Sequence, residues 1–295
     1  MRRLTDAQVD TIARRLADRL GGQAHLGGGA ATVAGPTRSV ATIPGPTAVS
    51  SSAPAVVGEG IFPTVDECID AARTAFVRLG EQSLALRTEI IASIREAMLA
   101  AGDDLARMAH DETGLGRYEH KCIKNRLVTE KTPGTESLRP ETTTGDNGLT
   151  LMEWAPFGVI GAITPTTNPT STIICNTIGM VAAGNSVVFN VHPGAVNCSM
   201  ETVRLINRAI TSVGGPPNLV TAVGAPTIES ATELMHHKGI NLLVVTGGPG
   251  VVKAAMKSGK RSVSAGPGNP PVVVDQTADI PAAGRDIVYG AGFDN

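Results

Sequence analysis

Aromatic residues are scarce in this sequence, and the scarcity narrows the classes of protein to which it can belong. Phe, Trp and Tyr make up 3% of the 295 residues, too few for a platform on which nucleic-acid bases stack. Basic residues do not outnumber acidic ones, with 25 Lys and Arg against 27 Asp and Glu. We therefore expect no nucleic-acid partner, because such proteins carry a basic surplus.

Long apolar runs are also lacking. No run reaches the roughly 18 to 20 residues that a membrane-spanning helix needs, and the N-terminus has no continuous apolar stretch of the secretory type. We therefore expect no membrane partner and a cytoplasmic location. A hydrophobic content of 42%, a charged content of 18% and a net charge of −2 are typical of a soluble globular chain.

Several familiar chemical motifs are missing. The four cysteines, Cys68, Cys122, Cys175 and Cys198, form no CxxC pair and have no histidine at metal-ligand spacing, so we expect reduced thiols and no metal. Cys175 and Cys198 are interpreted as small buried apolar residues. There is no Ser-His-Asp order and no GxGxxG fingerprint.

The N-terminal region has two parts of different composition. Residues 1–20 place Leu4, Ile12 and Leu16 on one helical stripe, which predicts an amphipathic helix. Residues 21–60 are rich in Gly, Ala, Pro, Ser and Thr without periodicity, which predicts a flexible linker. A helix on such a tether is expected to meet a partner, and the alternative is that it docks on its own domain.

Globular sequence follows the linker. Apolar residues at helical spacing predict a helix capped by Thr64 and a second helix ending near Gly114. The polar segment 127–147, with its turn signals, is expected to be an excursion at the edge of the fold.

After this segment, short β-rich runs alternate with helical ones. The predicted strands are 159–163, 186–190, 219–222, 242–246 and 272–274. The predicted helices are 170–183, 196–213, 228–236 and 250–258. This alternation, with strands apolar on both faces, predicts an α/β fold in which helices cover both faces of a parallel sheet.

Ligands of such folds bind outside the carboxyl ends of the strands, so the following loops are the candidate site. In "TPTTNPTST", Pro165 and Pro169 fix the loop around Asn168. A rigidly held Asn amide can donate to a developing oxyanion, although a turn Asn bonding its own backbone gives the same spacing. The glycines of "TGGPG" and "SAGPGNPP" allow a phosphate or another ligand to approach the backbone, and tight turns would look the same.

Four ordered stretches resemble the aldehyde dehydrogenase superfamily, and within it the CoA-acylating propionaldehyde and acetaldehyde dehydrogenases of bacterial microcompartments. They are "APFGVIGAITPTTNPTSTIICN", "AAGNSVVFNVHPGA", "VVTGGPGVVKAAMKSGK" and "AGPGNPPVVVD". The resemblance covers residues 61–295. It implies a cofactor-binding domain over 61–270 and the start of a catalytic domain over 271–295. It also implies that residues 1–20 target a microcompartment by binding a shell protein.

The resemblance assigns roles to individual residues. Asn168 matches the Asn whose amide receives the oxyanion. "HPG", from His192 to Gly194, stands where many hydrolytic relatives have Lys-Pro-Ser-Glu against the adenosine ribose, which leaves NAD or NADP open. Cofactor binding is implied for Thr164, Pro165, His192, Pro193, Gly194, Thr246, Gly247, Gly248, Ser264, Ala265 and Gly266.

Ser264 marks a departure from the hydrolytic relatives, which carry at this place a Glu that activates water. A serine without a base is a poor substitute, which fits an enzyme whose acyl acceptor is the thiol of CoA. The implied reaction converts a small aldehyde, NAD and CoA into acyl-CoA and NADH.

The chain ends in "GAGFDN", residues 290–295, and in the family such a sequence is followed within a few residues by the nucleophilic cysteine. We therefore expect a truncated protein, inactive as it stands, with most of its catalytic domain missing; the full-length protein is expected to be a homo-oligomer. The alternatives are an inactive, microcompartment-targeted dinucleotide-binding module, a hydrolytic relative that lost its Glu, and a phosphate-using semialdehyde reductase.

Overall fold

The computed structural model of the chain describes Thr11, residues 59–268 and residues 270–294. These residues fall into two compact units. One comprises residues 59–268 with Asp294, and the other comprises residues 270–293 with Thr11. The predicted helix 1–20 and linker 21–60 lie outside the described residues, apart from Thr11, Glu59 and Gly60. The predicted domain boundaries stay predictions.

The described chain alternates between strands and helices. The strands are β1 (Ile61–Phe62), β2 (Glu141–Gly145), β3 (Gly148–Met152), β4 (Val159–Ile163), β5 (Ser186–Asn190), β6 (Val220–Val223), β7 (Leu242–Thr246) and β8 (Ser262–Ala265). The α-helices are α1 (Val65–Gly80), α2 (Leu84–Thr113), α3 (Tyr118–Lys131), α4 (Pro169–Ala182), α5 (Val196–Ser212), α6 (Ile228–His236), α7 (Pro249–Lys257) and α8 (Ile280–Gly292).

Six of the strands form one parallel sheet in the order β1-β6-β5-β4-β7-β8. The predicted strands 159–163, 186–190 and 242–246 have the bounds found in the structure, and 219–222 is shifted by one residue to Val220–Val223. A parallel order requires crossover connections, and the helices between the strands supply them. The parallel sheet predicted from the alternation is confirmed.

Successive residues of the central strands point to opposite faces of the sheet, and each face has its own core. Ile160 and Ala162 of β4 belong to the core that packs with helices α2, α4 and α5. Val159 and Ile163 belong to the core that packs with α1, α6 and α7. Helices therefore cover both faces, as predicted.

The predicted helix ends at Thr64 and Gly114 are also confirmed. The Thr64 side chain accepts from the backbone N–H of Glu67, whose carboxylate accepts from the N–H of Thr64 in return, which closes a capping box. Gly114 follows α2 with a left-handed φ of 65°. A glycine reaches that conformation without a steric penalty, so the helix stops there.

The description of 127–147 as a polar excursion was wrong in part. Helix α3 continues to Lys131, and β2 and β3 pair as an antiparallel hairpin from Glu141 to Met152. The sequence did not indicate α3 because the residues that this helix buries are polar: Lys121, Asn125 and Thr129. Periodicity of apolar residues cannot detect such a helix.

The strand predicted at 272–274 was wrong. These valines are apolar, but they pair with no other strand among the described residues, and Val273 is 92% exposed. The sheet instead gains β8, which pairs with β7 and contains Ser264 and Ala265, two residues that we had assigned to a loop. Ser264 and Ala265 are in a strand because they pair with Val245 and Thr246 of β7. No helix in the described part of the chain has the length and apolarity needed to cross a membrane.

Candidate active site

The strand register brings the predicted loops together at one edge of the sheet. Ile163, the last residue of β4, pairs with Asn190 of β5 on one side and with Val245 of β7 on the other. Val245 in turn pairs with Ser264 of β8. Because the strands are parallel, the loops that follow these four strands all leave from the same carboxyl edge.

Asn168 lies at the N-cap of helix α4, but its side chain does not cap that helix. Its Oδ1 accepts a hydrogen bond from Lys124 Nζ at 3.0 Å. Among the described residues its Nδ2 donates a single, long hydrogen bond of 3.4 Å, to Thr167 Oγ1. In that part of the chain the Asn168 side chain makes no hydrogen bond to its own backbone, as a turn Asn would, and one of its two amide N–H groups has no acceptor there.

Side chains of helix α3 form hydrogen bonds with the loop that carries Asn168. Lys121 Nζ donates to the carbonyl oxygen of Thr167 at 2.8 Å, and Asn125 Oδ1 accepts from Thr170 Oγ1 at 3.0 Å. Together with Lys124, these side chains contact three of the four residues from Thr167 to Thr170. Sequence reasoning missed them; the only available signal was the spacing of polar residues at 121, 125 and 129 in a helix-forming segment.

Asp294 completes the polar cluster. Its carboxylate lies 2.7 Å from Lys124 Nζ and 3.8 Å from Lys121 Nζ, and its side chain is only 4% exposed. Its backbone N–H donates to His120 Nδ1 at 2.8 Å. Burial lowers the pKa of Lys121, and the charge of Asp294 acts in the opposite direction.

The loop after β5 holds the predicted "HPG" residues. His192 Nδ1 accepts from the Gly194 backbone N–H at 3.0 Å, and Pro193 begins a short 3-10 turn. A Cβ added to Gly194 would lie 3.6 Å from Thr166 Oγ1, so the loops after β4 and β5 are neighbours. Desolvation lowers the pKa of His192, which favours the neutral ring.

The loop after β7 presents backbone rather than side chains. Thr246 pairs with Ala265, and the Gly247 N–H donates to the Ala265 carbonyl at 3.2 Å. Gly248 is the N-cap of α7, has no side chain to cap the helix, and would meet nothing within 4 Å if a Cβ were added. Pro249 has no N–H, so the first N–H groups of α7 are those of Gly250 and Val251, which have no acceptor within the helix and suit an anionic group.

Two hydroxyl groups at this edge have no hydrogen-bond partner within the described ranges. Thr164 Oγ1, in a residue only 2% exposed, and Ser264 Oγ are both buried atoms without one. Pro165 is partly buried, whereas Ala265 and Gly266 are exposed. The strand register thus gathers all the sequence-predicted residues at one edge of the sheet, while their individual roles stay predictions.

The cysteines with the deepest burial are poor nucleophiles. Burial raises the pKa of Cys68 to about 12, and burial also raises the pKa of the Cys198 thiol. Cys122 and Cys175 are partly buried on α3 and α4. Within the described ranges, no group of three or more His, Cys, Asp or Glu side chains is arranged to hold a metal ion.

Comparison with known families assigns the chain that carries this site to one of them. The model of the aldehyde dehydrogenase family matches residues 53–295. The chain belongs to the aldehyde dehydrogenase family.

Within that family the chain is similar to acylating enzymes. It is 51% identical over 237 residues to the acetaldehyde dehydrogenase (acetylating) EutE of Escherichia coli, covering 80% of this chain and 50% of that protein. The chain thus spans about half the length of the curated relatives it matches.

The similar solved structures include two propionaldehyde dehydrogenases. One is a propionaldehyde dehydrogenase from the Clostridium phytofermentans fucose utilisation bacterial microcompartment, with a TM-score of 0.78, 52% identity and coverage of 81% of this chain and 55% of that chain. The other is a Rhodopseudomonas palustris propionaldehyde dehydrogenase with bound CoA, with the same TM-score, identity and coverage: 0.78, 52%, 81% and 55%.

Proposed function

We propose that this chain acts in a CoA-acylating aldehyde dehydrogenase, which converts a small aldehyde, NAD and CoA into acyl-CoA, NADH and a proton. The observation that carries the proposal is the state of Asn168. Its amide oxygen accepts from Lys124, one of its two amide N–H groups has no acceptor among the described residues, and its loop is held by three side chains of α3. Similarity to acylating relatives at about half identity supports it.

The proposed role of Asn168 is to donate a hydrogen bond to the aldehyde oxygen. When a thiolate attacks the carbonyl carbon, the oxygen gains negative charge, and a donor already in place stabilises that charge without reorganisation. The same donor serves again when CoA attacks the thioester. We assign the nucleophile to none of the four cysteines. The proposed reaction site lies beside Asn168 and Lys124, whose Nζ also contacts the Asp294 carboxylate.

The described residues also fit a dinucleotide. The open N-terminus of α7 at Gly248 offers backbone N–H groups to a diphosphate. Thr164 offers a buried hydroxyl without a partner, and His192 stands exposed at the next loop. When bound, the dinucleotide accepts the hydride and CoA accepts the acyl group. We propose NAD as the dinucleotide.

Ser264 supports thiolysis over hydrolysis. Among the described residues its hydroxyl oxygen has no hydrogen-bond partner. A serine hydroxyl without a neighbouring base cannot take a proton from water at neutral pH, so the thioester is protected from hydrolysis. A thiol such as CoA ionises far more readily and needs less help.

The test is the formation of NADH from propionaldehyde by the protein expressed from the complete reading frame. We expect NADH formation that requires CoA and that falls about 10²–10³-fold in Asn168→Ala. Substituting NADP for NAD tests the choice of dinucleotide. If the protein binds NAD but forms no NADH with any small aldehyde, it is a dinucleotide-binding module and the proposal is wrong.

We further propose that residues 1–20 direct the protein into a bacterial microcompartment by binding a shell protein. The amphipathic stripe of Leu4, Ile12 and Leu16 and the microcompartment origin of a similar structure support this. A fluorescent protein fused to residues 1–20 should enter microcompartments, and a fusion with Leu16→Glu should not. Equal distribution of both fusions would contradict the proposal.

We also propose that the complete enzyme is a homo-oligomer. The hairpin of β2 and β3 exposes apolar side chains, including Leu149 at 68% and Leu151 at 56%. Such exposure of apolar side chains along one strand, here β3, is typical of a surface covered by another chain. Light scattering of the complete protein should give a multiple of the monomer mass, and the double variant Leu149→Ser, Leu151→Ser should lower it.

A further inference from the structure

We propose that Lys124 is a positioning residue for the reaction, because it fixes the orientation of the Asn168 side-chain amide. This inference rests on the proposed function. Lys121 Nζ donates to the backbone of the loop, at the carbonyl oxygen of Thr167. Lys124 Nζ contacts the side chain of Asn168 itself, at 3.0 Å from Oδ1.

The chemistry of lysine determines which way the amide faces. A lysine ammonium has three donors and no acceptor, so only the oxygen of an Asn amide can bond to it. With Oδ1 held by Lys124, Nδ2 must occupy the opposite position, where its one partner in the described part of the chain is the distant Thr167 hydroxyl at 3.4 Å. A donor is thereby presented to the reacting oxygen, whereas the flipped amide would present an acceptor and repel it.

Lys124 also prevents the Asn168 side chain from capping helix α4, because it occupies the oxygen that would accept the capping bond. Asn is a favoured N-cap residue because its Oδ1 accepts from the first free N–H groups of a helix. Asn168 is the N-cap of α4 and makes no such bond. Without Lys124, Oδ1 is free to cap α4, and this rotation would move the amide away from the site.

The position of Lys124 is itself fixed by charge. Asp294 Oδ2 lies 2.7 Å from Lys124 Nζ, and the Asp294 carboxylate is anchored by the backbone N–H of Arg117 at 3.1 Å. Lys124 thus bridges a buried carboxylate and the Asn168 amide. Charge-assisted bonds of this kind are short and directional, which makes the ammonium a better anchor than a neutral donor.

The experiment is a double-mutant cycle in the protein expressed from the complete reading frame. Lys124→Met keeps the length of the side chain and removes its donors. In the wild-type background we expect kcat to fall about 10- to 100-fold, as a misplaced catalytic group predicts, with the KM for CoA unchanged. In the Asn168→Ala background the same substitution should change kcat less than about 2-fold, because residues that act as a unit are not additive.

Two further variants sharpen the cycle. Lys124→Arg retains a charged donor and should recover part of the lost kcat. Lys131→Met removes an exposed lysine from the end of the same helix and should leave kcat unchanged. Equal losses from Lys124→Met in both backgrounds would show a general structural role and overturn the proposal, and so would no loss in either background.

A second readout does not need turnover. In nitrogen-15 spectra of the same protein, Lys124→Met should shift the side-chain amide signals of Asn168 and leave those of Asn125 in place, because Asn125 has its own partners in Gly102 and Thr170. Unmoved Asn168 signals would overturn the inference. If the wild type forms no NADH but the Asn168 signals shift, the proposed function fails while the positioning contact stands.

Discussion

Helices α5 and α8 are both amphipathic, but they differ in how much of their surface is buried. Helix α5, in the unit of residues 59–268, buries nine residues, including Val203, Ile206 and Ile210. Helix α8, in the unit of residues 270–293, buries none. This difference shows that an apolar stripe can predict a helix but not its burial. Burial requires other helices or strands that pack against the stripe, and the sequence of the helix does not specify them.

The largest effect should come from the centre of the sheet. Phe189 of β5 is fully buried and pairs with Ala162 and Ala222 on the two neighbouring strands. Phe189→Ala should lower the free energy of unfolding by about 3–5 kcal/mol, because it leaves a cavity among close-packed side chains. Urea denaturation followed by circular dichroism measures this loss.

The matched control is Val273→Ala in the exposed segment before α8. Val273 is 92% exposed, so this substitution should change the free energy of unfolding by less than about 0.5 kcal/mol. A loss from Val273→Ala as large as that from Phe189→Ala would mean that the contrast between the two regions is wrong.

A smaller effect should come from the polar stripe of α3. Asn125 is 1% exposed, donates to the Gly102 carbonyl at 2.9 Å and accepts from Thr170. Asn125→Ala leaves the buried Thr170 hydroxyl without its acceptor and removes the side-chain donor to the Gly102 carbonyl, which should cost about 1–3 kcal/mol of unfolding free energy. Arg126→Ala, at the exposed neighbouring position, should cost far less in the same denaturation experiment. Similar losses of unfolding free energy for Asn125→Ala and Arg126→Ala would show that the buried polar residues of α3 do not stabilise its packing against α2 and α4.

The smallest effect should appear at alkaline pH and involve Cys68. Burial raises the pKa of its thiol from 9.0 to about 12, so between these values the unfolded chain loses a proton that the folded chain retains. Stability should therefore fall as the pH rises through this window, by up to about 1.4 kcal/mol per pH unit for this thiol. The wild type should lose more unfolding free energy between pH 8 and pH 10 than Cys68→Ala does. Parallel losses would contradict the assignment.

Much of the fold could be predicted from the sequence because its core strands are continuous apolar runs. The runs at 159–163 and 186–190 match β4 and β5 residue for residue. The same rule failed at 272–274, where the run is equally apolar but no strand among the described residues pairs with it. It failed again at α3, whose buried side chains are polar.

The sequence indicated the loop that carries Asn168 but not the side chains that contact this loop, and the role of Asn168 stays a prediction. Two flanking prolines and the resemblance to a known family indicated the loop. Lys121 and Lys124 come from a helix more than forty residues earlier, and no local pattern links them to the loop. Only the packing of α3 against α4 brings these side chains to Thr167 and Asn168.

The most direct test of the proposed function is the partition of the acyl group between CoA and water. The protein from the complete reading frame would be given propionaldehyde and NAD, with and without CoA, and the products identified by mass spectrometry. We predict propionyl-CoA when CoA is present and no free propionate when it is absent, because Ser264 has no base to activate water. Steady formation of propionate without CoA would contradict the proposal.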